Sequence, residues 1–370
     1  MQRAVALAET FLQAGHRVAF CTADNRNYRK VEGTEEHLAA NPEPLGLPRP
    51  FGQMAVALAF HCGMLKRKEV TSFEFVLHMM GILHPGYFLK DVEFLRSIIQ
   101  TFKPDIVYSE FRLPAIVAAK LEGVLLAGSC SYPGLPAYRC DPQYSEAVRE
   151  KLRCLNLPNL DSILDLFSWQ TVSFIASSPT LEPVKLDNPV HVGPFFDIPE
   201  PGSNNMRSKI TVYMGNSAIR PHEMLRELRA VAARRQFDIY IASTTLHPAE
   251  EANLHIAPRF DFGKLLLESI LFIHHGGQNS SMSGLLAGVP QLIFPGKVFE
   301  RCFNADSIVQ IGAGIRCVDS DFTAPRLDSM IDTIKNNNSF YSAARDCGRE
   351  LRSLGGASKT LSVMEDLVHR

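Results

Sequence analysis

The sequence predicts an α/β protein with two doubly wound domains, each built around a mainly parallel sheet. Strand-like apolar runs alternate with helix-like runs along most of the 370 residues, which is typical of parallel sheets covered by helices. The segment Gly193–Asn205 is rich in Pro, Gly and Asn, as interdomain linkers are, and the alternation restarts after it. A chain of this length can bury two cores of ordinary size.

The first element is an amphipathic helix that Gly15 ends before the strand Arg17–Cys21. The apolar residues on one face of this helix are Ala4, Leu7, Ala8, Phe11 and Leu12. In parallel α/β domains such a helix is normally the crossover from an earlier strand. We therefore expect a truncated start, with a domain that lacks its usual first strand as the alternative.

Two helix–strand pairs follow in the N-terminal half. They are the helix Asp91–Phe102 with the strand Asp105–Tyr108, and the helix Arg112–Leu121 with the strand Val124–Ala127. Pro104 breaks the first of these helices. We expect mobile helices and loops over Arg49–Leu89, and a long loop above the sheet over Ser129–Pro142.

The same alternation continues after the linker. The predicted strands are Lys209–Met214, Asp238–Ala242, Ile270–Ile273, Gln291–Phe294 and Gly314–Val318. The predicted helices are Pro221–Arg235, Phe262–Glu268, one that follows the Ile270 strand, Arg301–Ile311, Thr323–Asn337, Ser339–Ser353 and Ser358–His369.

Composition excludes several classes of function. The formal net charge is −1, so the chain lacks the basic footprint expected of nucleic-acid or anionic-membrane binding, and a small-molecule partner is favoured. The eight cysteines show no metal-ligand spacing, which indicates reduced thiols in a cytoplasmic protein and no metal site. No apolar run reaches the ~20 residues of a membrane-spanning helix.

The most informative segment joins a strand to a helix through two glycines. The buried run Ile270–Ile273 leads to His275, and Gly276 and Gly277 then allow a sharp turn and close approach to a ligand. Asn279 or Ser280 can cap the helix that follows and Gly288 can end it, and the free N–H groups and dipole of the helix favour an anion. The alternative is an ordinary strand–helix junction, since such junctions are common in α/β proteins.

Several ordered motifs give the sequence a family resemblance. HGGQNS, LLAGVPQLIFP, FERCFNA and IGAGI follow one another within Pro258–Cys317. Arg3–Thr22 and Lys103–Leu113 (KPDIVYSEFRL) match two N-terminal segments, and His191-Val192-Gly193-Pro194 matches the usual end of the N-terminal domain. Over nearly its whole length the chain resembles the GT-B nucleotide-sugar glycosyltransferases, in the UDP-glycosyltransferase-like superfamily of antibiotic and polysaccharide glycosyltransferases.

The resemblance implies a GT-B fold, with two Rossmann-like doubly wound parallel-sheet domains facing a cleft. Residues 1–194 would form the acceptor-side domain, 195–206 the linker and 207–350 the nucleotide-sugar donor domain. Residues 351–370 would form a C-terminal helix, and whether it crosses back to the N-terminal domain is left open.

The resemblance also assigns the donor site residue by residue. His275 would donate a hydrogen bond to the donor diphosphate, where loss of one charge-assisted donor costs about 1.5–3 kcal/mol. The other diphosphate-binding residues would be Gly277, Asn279, Ser280, Gly215 and Ser217. For His275 the alternative is a histidine bonded inside the fold; for the Gly215 segment it is a plain turn. His274 should point the opposite way and be structural.

Further donor contacts follow from the same comparison. Glu300 and Arg301 occupy the positions at which relatives bind the sugar hydroxyls. For Glu300 the alternative is a helix N-terminal Glu that the helix dipole stabilises. Phe260 or Phe262 would cover the base, unless they are core aromatics. Ser283 stands where many relatives carry a ribose-binding Glu, so the nucleotide, UDP or dTDP, is left open.

The catalytic assignment is incomplete. In the family a histidine takes the proton of the acceptor hydroxyl, and its loop would lie upstream of Arg3. Glu110 occupies the position of the acid that orients this histidine, with a solvent-facing loop Glu as the alternative. Glu110 and His16 are poor candidates for a replacement base. Two other outcomes are possible without the histidine. The acceptor hydroxyl could be acidic enough to need little help from a base, or the chain could bind the nucleotide sugar and turn over slowly.

The sequence therefore predicts an inverting glycosyltransferase that moves a sugar from a nucleotide-diphosphate donor to a hydroxyl of a small-molecule or lipid-linked acceptor. No cofactor and no metal are expected, since the nucleotide sugar is a co-substrate. The alternative is a catalytically impaired nucleotide-sugar-binding protein or auxiliary subunit, and a GT-B epimerase is a third reading. A homodimer is left open.

Overall fold

The computed structural model describes residues 2–23, 30–44, 47, 51–52, 54–55, 58, 69–202, 207–235 and 237–369. The chain divides into two compact units. The first comprises mainly Val70–Phe196, the residues before them and Leu354–Arg370, and the second is mainly Asp197–Ser353. Residues 203–206 of the predicted linker and most of the segment between residues 45 and 68 lie outside the described ranges.

The described ranges contain the following helices and strands. The helices are α1 (Gln2–Gln13), α2 (Phe73–Met79), α3 (Pro85–Phe102), α4 (Leu113–Glu122), α5 (Glu146–Arg153), α6 (Pro221–Arg234), α7 (Phe262–Leu265), α8 (Gln278–Leu286), α9 (Phe299–Gln310), α10 (Ala324–Lys335), α11 (Asn338–Ser353) and α12 (Gly356–Val368). The strands are β1 (Ala19–Ala23), β2 (Glu35–Ala39), β3 (Ile106–Ser109), β4 (Leu125–Cys130), β5 (Val172–Ile175), β6 (Pro189–His191), β7 (Lys209–Tyr213), β8 (Asp238–Ala242), β9 (Ala249–Glu251), β10 (Leu254–Ala257), β11 (Ser269–His274), β12 (Gln291–Ile293) and β13 (Gly314–Arg316).

The first unit is organised around a parallel sheet with the strand order β3-β4-β5-β6. A separate parallel pair joins β1 to β2. The core on this sheet includes Phe88, Ile116 and Phe167, all fully buried. The helix predicted over Asp91–Phe102 begins earlier, at Pro85, because proline at the first helical position loses no hydrogen bond there.

Mobile helices and loops were expected over Arg49–Leu89, and a long loop was expected over Ser129–Pro142. Part of Arg49–Leu89 folds as α2 and as the first residues of α3. The segment Ser129–Pro142 begins inside β4 and continues through a short 3₁₀ turn at Tyr132–Gly134. Buried β5 and half-buried β6 were not predicted at all.

The second unit is built around a seven-stranded sheet with the order β13-β12-β11-β7-β8-β10-β9. All neighbouring pairs are parallel except β9 with β10. Both faces are covered, and Val212, Ile241 and Leu292 are fully buried in the core. The predicted class, α/β with parallel sheets, is confirmed.

The C-terminal helix α12 packs in the first unit. Gly356 N–H donates to the carbonyl of Val192 at 2.7 Å, and Met364, 3 % exposed, joins a core cluster with Phe174 and Val192. His16, just after α1, pairs with Glu365 at 2.9 Å on the surface. The last helix is therefore an integral layer of this unit.

Candidate functional site

The strand β11 ends in a turn that requires glycine. Gly276 has φ +85°, a conformation that side-chain-bearing residues rarely adopt. A Cβ there would lie 3.0 Å from the Arg301 carbonyl oxygen and 3.1 Å from Ile293 Cγ2. Asn304, buried in α9, donates its side-chain amide to the Gly276 carbonyl at 2.9 Å. The turn is thus fixed from two sides.

His274 holds this turn from inside the fold. It is fully buried, and its Nδ1 accepts the Gly276 N–H at 3.0 Å, so the proton lies on Nε2, 2.8 Å from the Gln291 side-chain oxygen. Gln291 in turn donates to the Ser281 carbonyl in α8 at 3.0 Å. Burial lowers the pKa of His274 to about 3, so the ring is neutral. The predicted structural role of His274 agrees with this network, whereas Gln291 was not anticipated.

The helix α8 starts one residue after the second glycine, which corrects the predicted cap. Gly277 is the N-cap, with φ −65°, ψ 143° and no side-chain cap hydrogen bond, whereas Asn279 and Ser280 lie within the first turn. Because glycine has no side chain to compete for the first-turn N–H groups, the helix dipole and these groups suit an anionic ligand. Gly288, φ +61°, follows the end of the helix as predicted.

His275 lies between this turn and the end of β7. Its Nδ1 is 3.4 Å from the Tyr213 carbonyl oxygen, and its ring meets the Tyr213 ring edge-on at 5.4 Å. A Cβ on Gly277 would lie 3.0 Å from His275 Nε2, and one on Gly215 3.2 Å from its Cε1. The imidazole therefore packs closely against Gly277 and Gly215, because neither residue has a side chain that would clash with the ring.

The protonation state of His275 follows from this setting. Burial and, to a smaller extent, the Arg301 cation lower its pKa to about 4. At neutral pH the ring is therefore uncharged, and the Tyr213 carbonyl, which can only accept, selects the tautomer with the proton on Nδ1. Nε2 is then an acceptor until a proton is added.

The turn after β7 joins the same site. Arg301 donates to the Asn216 carbonyl at 3.3 Å, which links the first turn of α9 to the predicted Gly-Ser segment. Ser217 is 6 % exposed, and its hydroxyl donates to the Ile219 carbonyl at 3.2 Å. Of this segment, Gly215 therefore borders His275 directly, whereas the Ser217 side chain serves the turn itself.

The predicted aromatic residues occupy two different places. Phe262 packs on Tyr213 at 5.8 Å and on Phe272 at 5.9 Å, so it joins the ring cluster that carries His275. Phe260 packs edge-on against Tyr240, in the middle of β8, at 5.5 Å between ring centroids. Both rings are half-buried.

The remaining predicted donor residues lie on the two helices of the site. Glu300 is exposed in the first turn of α9, beside Arg301, which burial holds at a lowered pKa. Ser283 is half-buried on α8. The second unit thus brings His275, Gly277, Gly215 and Arg301 together, with Glu300 adjacent in sequence.

In the first unit, Glu110 follows β3 and is held by three donors. Arg3 Nε donates to it at 2.7 Å, Tyr108 hydroxyl at 3.2 Å, and Ser129 hydroxyl also donates to it. The Glu110 side chain is only 15 % exposed. Burial and the Glu110 charge raise the pKa of Tyr108, which keeps that hydroxyl a donor. The alternative, a solvent-facing loop Glu, does not agree with this burial.

The described ranges contain neither a candidate metal site nor a membrane-spanning helix. Among those residues, no group of three or more His, Cys, Asp or Glu could hold a metal ion. Within the same residues, no helix is long and apolar enough to cross a membrane.

Part of the second unit is similar in sequence to known proteins. Residues 245–356 match the family model of the erythromycin biosynthesis protein CIII-like C-terminal domain. The NDP-glycosyltransferase YjiC of Bacillus subtilis (strain 168) is 26 % identical over 102 residues, which cover 28 % of this chain and 26 % of that protein. The alignment thus spans about a quarter of this curated relative.

Solved structures agree over nearly the whole chain. The calicheamicin glycosyltransferase CalG4 superposes with a TM-score of 0.75 at 16 % identity and covers 100 % of this chain and 95 % of its own. The spinosyn rhamnosyltransferase SpnG in complex with thymidine diphosphate gives 0.67 at 16 % identity, covering 98 % and 96 %. The fold is GT-B. The predicted GT-B fold is therefore confirmed.

Proposed function

We propose that this chain is an inverting glycosyltransferase that uses a nucleoside-diphosphate sugar as donor and a hydroxyl of a small molecule as acceptor. The observation that carries the proposal is the cradle formed by His275, Gly277 and Gly215 at the carboxyl end of the second unit's sheet. In parallel α/β folds, ligands bind beyond that end of the strands. A helix N-terminus with a histidine at its mouth suits a diphosphate.

The cradle favours a diphosphate over a neutral ligand. Arg301 adds a cation that Asn216 holds by its carbonyl oxygen, and the first-turn N–H groups of α8 add dipoles of the same sign. We propose Glu300 and Arg301 for the sugar, and Phe262 rather than Phe260 for the base, because Phe262 shares a ring cluster with His275. A thymidine diphosphate is the nucleotide in the SpnG complex, which makes dTDP the first donor to test.

The proposed reaction is a single displacement. The acceptor hydroxyl loses its proton to a base, its oxygen attacks the anomeric carbon, and the bond from that carbon to the diphosphate oxygen breaks. The diphosphate leaves with the electron pair, and attack opposite to it inverts the carbon. Positive groups at the cradle stabilise the charge that develops on the leaving group.

Natural-product hydroxyls are the proposed acceptor class. CalG4 is a calicheamicin glycosyltransferase, and SpnG is a spinosyn rhamnosyltransferase. In this chain, Glu110 would orient a base rather than act as one, because three donors already occupy its carboxylate. Losing a general base typically lowers the rate by about two to four orders of magnitude.

The first experiment is calorimetric titration of dTDP and UDP into the full chain, followed by donor-hydrolysis and transfer assays with dTDP- and UDP-sugars. His275→Ala should weaken nucleotide binding by about tenfold or more, since the donor that Nε2 becomes when it takes up a proton on binding is lost. His222→Ala, an exposed histidine on α6 of the same unit, is the matched control and should bind normally. Equal affinity of His275→Ala and the parent would refute the cradle.

One observation favours a second function, nucleotide-sugar binding without transfer. Glu110 is engaged by Arg3, Tyr108 and Ser129, which leaves this carboxylate no role as proton acceptor. Tight dTDP binding with no hydrolysis and no transfer at any pH would select this reading. Turnover that Glu110→Gln reduces would select the transferase.

A further inference from the structure

A second cationic site lies at the opposite end of the helix that carries the cradle. Arg207 donates to the Ser269 carbonyl at 3.0 Å and to the Ala287 carbonyl at 2.8 Å. Ser269 begins β11 and Ala287 follows α8, so Arg207 sits at the amino edge of the sheet. His275 and Gly277 lie at the carboxyl edge. Nine helical residues separate the two ends, which corresponds to about 13 Å.

A cavity of about 320 Å³ opens beside Arg207. It is lined by Arg207, Gly288, Lys335, Asn338, Tyr341 and Arg345. Three of these six residues are cations and none is a carboxylate. The others add an amide, a hydroxyl and a glycine, so the wall is polar and positively charged.

The cations of this cavity are not neutralised by ion pairs within the described ranges. Arg207 uses two of its five N–H donors, both on backbone carbonyls. The Arg345 Nε donates to the Tyr341 carbonyl at 3.3 Å, and Lys335 Nζ lies 5.0 Å above the Phe237 ring. Burial and the nearby Arg345 cation lower the pKa of Arg207.

Neighbouring carboxylates are engaged elsewhere. Asp332, one turn before Lys335 on α10, pairs with Arg235 at 2.7 Å, and Asp328 pairs with the same arginine at 3.1 Å. The helix α11 begins at Asn338, so the positive end of its dipole faces the same region. Like charges are held together here, and Asp332, which also interacts electrostatically with Lys335, is shared with Arg235.

A purely structural role explains only part of this arrangement. Arg207 caps the C-terminal carbonyls of α8, which is a familiar use of arginine. Lys335 and Arg345 are exposed and do not cap α8, yet both line the same cavity. Without a ligand, their mutual repulsion is unfavourable, so an anion would stabilise the cluster.

We propose that this cavity, formed by Arg207, Lys335 and Arg345, binds a small phosphate-type oxyanion. Inorganic phosphate and the phosphate of a nucleotide share this chemistry, and arginine matches it with paired N–H donors. The site is separate from the diphosphate cradle and does not depend on the proposed transfer reaction.

Calorimetric titration of inorganic phosphate at constant ionic strength tests the proposal, with chloride as the reference anion. The double variant Lys335→Gln/Arg345→Gln should lower phosphate affinity by about tenfold or more, because two charged donors are lost. Arg326→Gln removes an exposed charge on α10 outside the cavity and should leave affinity unchanged. A parallel titration with a nucleoside monophosphate tells which source of phosphate fits better.

His275→Ala separates the two anion sites. The proposal requires that phosphate still binds this variant with the parent's affinity, since the cradle is not involved. Loss of binding in His275→Ala, parental affinity in the double variant, or phosphate binding no tighter than chloride would each overturn it. The unfolding midpoint without phosphate verifies that the double variant is folded, and Lys335→Gln alone replaces it if it is not.

Discussion

Two adjacent histidines with opposite tasks meet at the end of β11. His274 is fully buried and ties the Gly276 turn to Gln291 through both ring nitrogens. His275 faces the glycines of the cradle and makes one long contact, to the Tyr213 carbonyl. Alternation along a strand separates their directions, so a one-residue shift would exchange a structural histidine for a ligand-facing one.

The lowered pKa of His275 predicts that donor binding takes up a proton. The free site holds a neutral ring, with a pKa of about 4, and a bound diphosphate favours the imidazolium. Between the free and bound pKa values the ring gains its proton only on binding. Affinity for a dTDP-sugar should therefore fall as pH rises through that window, by at most about tenfold per pH unit.

Calorimetry in buffers of different ionisation enthalpy measures this uptake directly. A dTDP-sugar is the suitable probe, because both of its phosphates are esterified and do not titrate in this range. Proton uptake should be measurable above the free-ring pKa of about 4 in the parent and be near zero in His275→Gln. Equal uptake by the two proteins would assign the proton to another group.

At the scale of elements, the two glycines before α8 have different roles: Gly276 is needed for the backbone turn, and Gly277 leaves space for His275. Gly276→Ala places a side chain at φ +85°, against the Arg301 carbonyl, and should destabilise the second unit by about 1–3 kcal/mol. Gly277→Ala keeps an allowed φ of −65°, but its Cβ would crowd His275 Nε2. It should weaken dTDP binding with little loss of stability.

Urea unfolding and dTDP titration of the two variants distinguish these roles. Each variant serves as the control of the other, since both add one methyl group one residue apart. A Gly277→Ala protein as unstable as Gly276→Ala would show that the second glycine is also needed for the backbone.

The elements of the second unit were largely predictable because its central strands are continuous apolar runs. β8 and the stretch Phe262–Glu268 have the predicted bounds, and β11 differs by one residue at each end. β9 and β10 were missed because they are short and mix apolar residues with Glu250, Glu251 and His255. Short half-exposed strands are specified by pairing with neighbours, which a local pattern does not show.

The site was predictable where it depends on residue type and not where it depends on the backbone. Gly276 and His275 stand out in the sequence, since turns and donors need those residues. The backbone carbonyl of Tyr213 selects the His275 tautomer, and that of Asn216 accepts a hydrogen bond from Arg301. Every residue has a backbone carbonyl, so the sequence does not indicate these two contacts. Gln291 is the exception: a lone amide at the start of a buried strand signals an internal partner.

At the scale of the whole molecule, the chain's last helix belongs to its first unit. Met364 on α12 is buried with Phe174 and Val192, so Met364→Ala should cost about 2–5 kcal/mol of that unit's stability. Trp169 is the only tryptophan and lies in the first unit, so its fluorescence reports on that unit alone.

Denaturant unfolding followed by Trp169 fluorescence checks this expectation. Val368→Ala, on an exposed position of the same helix, is the matched control and should change the transition little. An unchanged transition in Met364→Ala would mean that α12 is not part of the cooperative core.

The strands at the two edges of the second unit's sheet limit how copies of this protein can associate. β13 and β9 are each three residues long, and the carboxylates of β9 are engaged: Glu250 by His255 and Glu251 by Arg229. Short, charged edges offer few backbone groups for a strand of another molecule. Growth of this sheet from one copy into the next is therefore disfavoured at both of its edges.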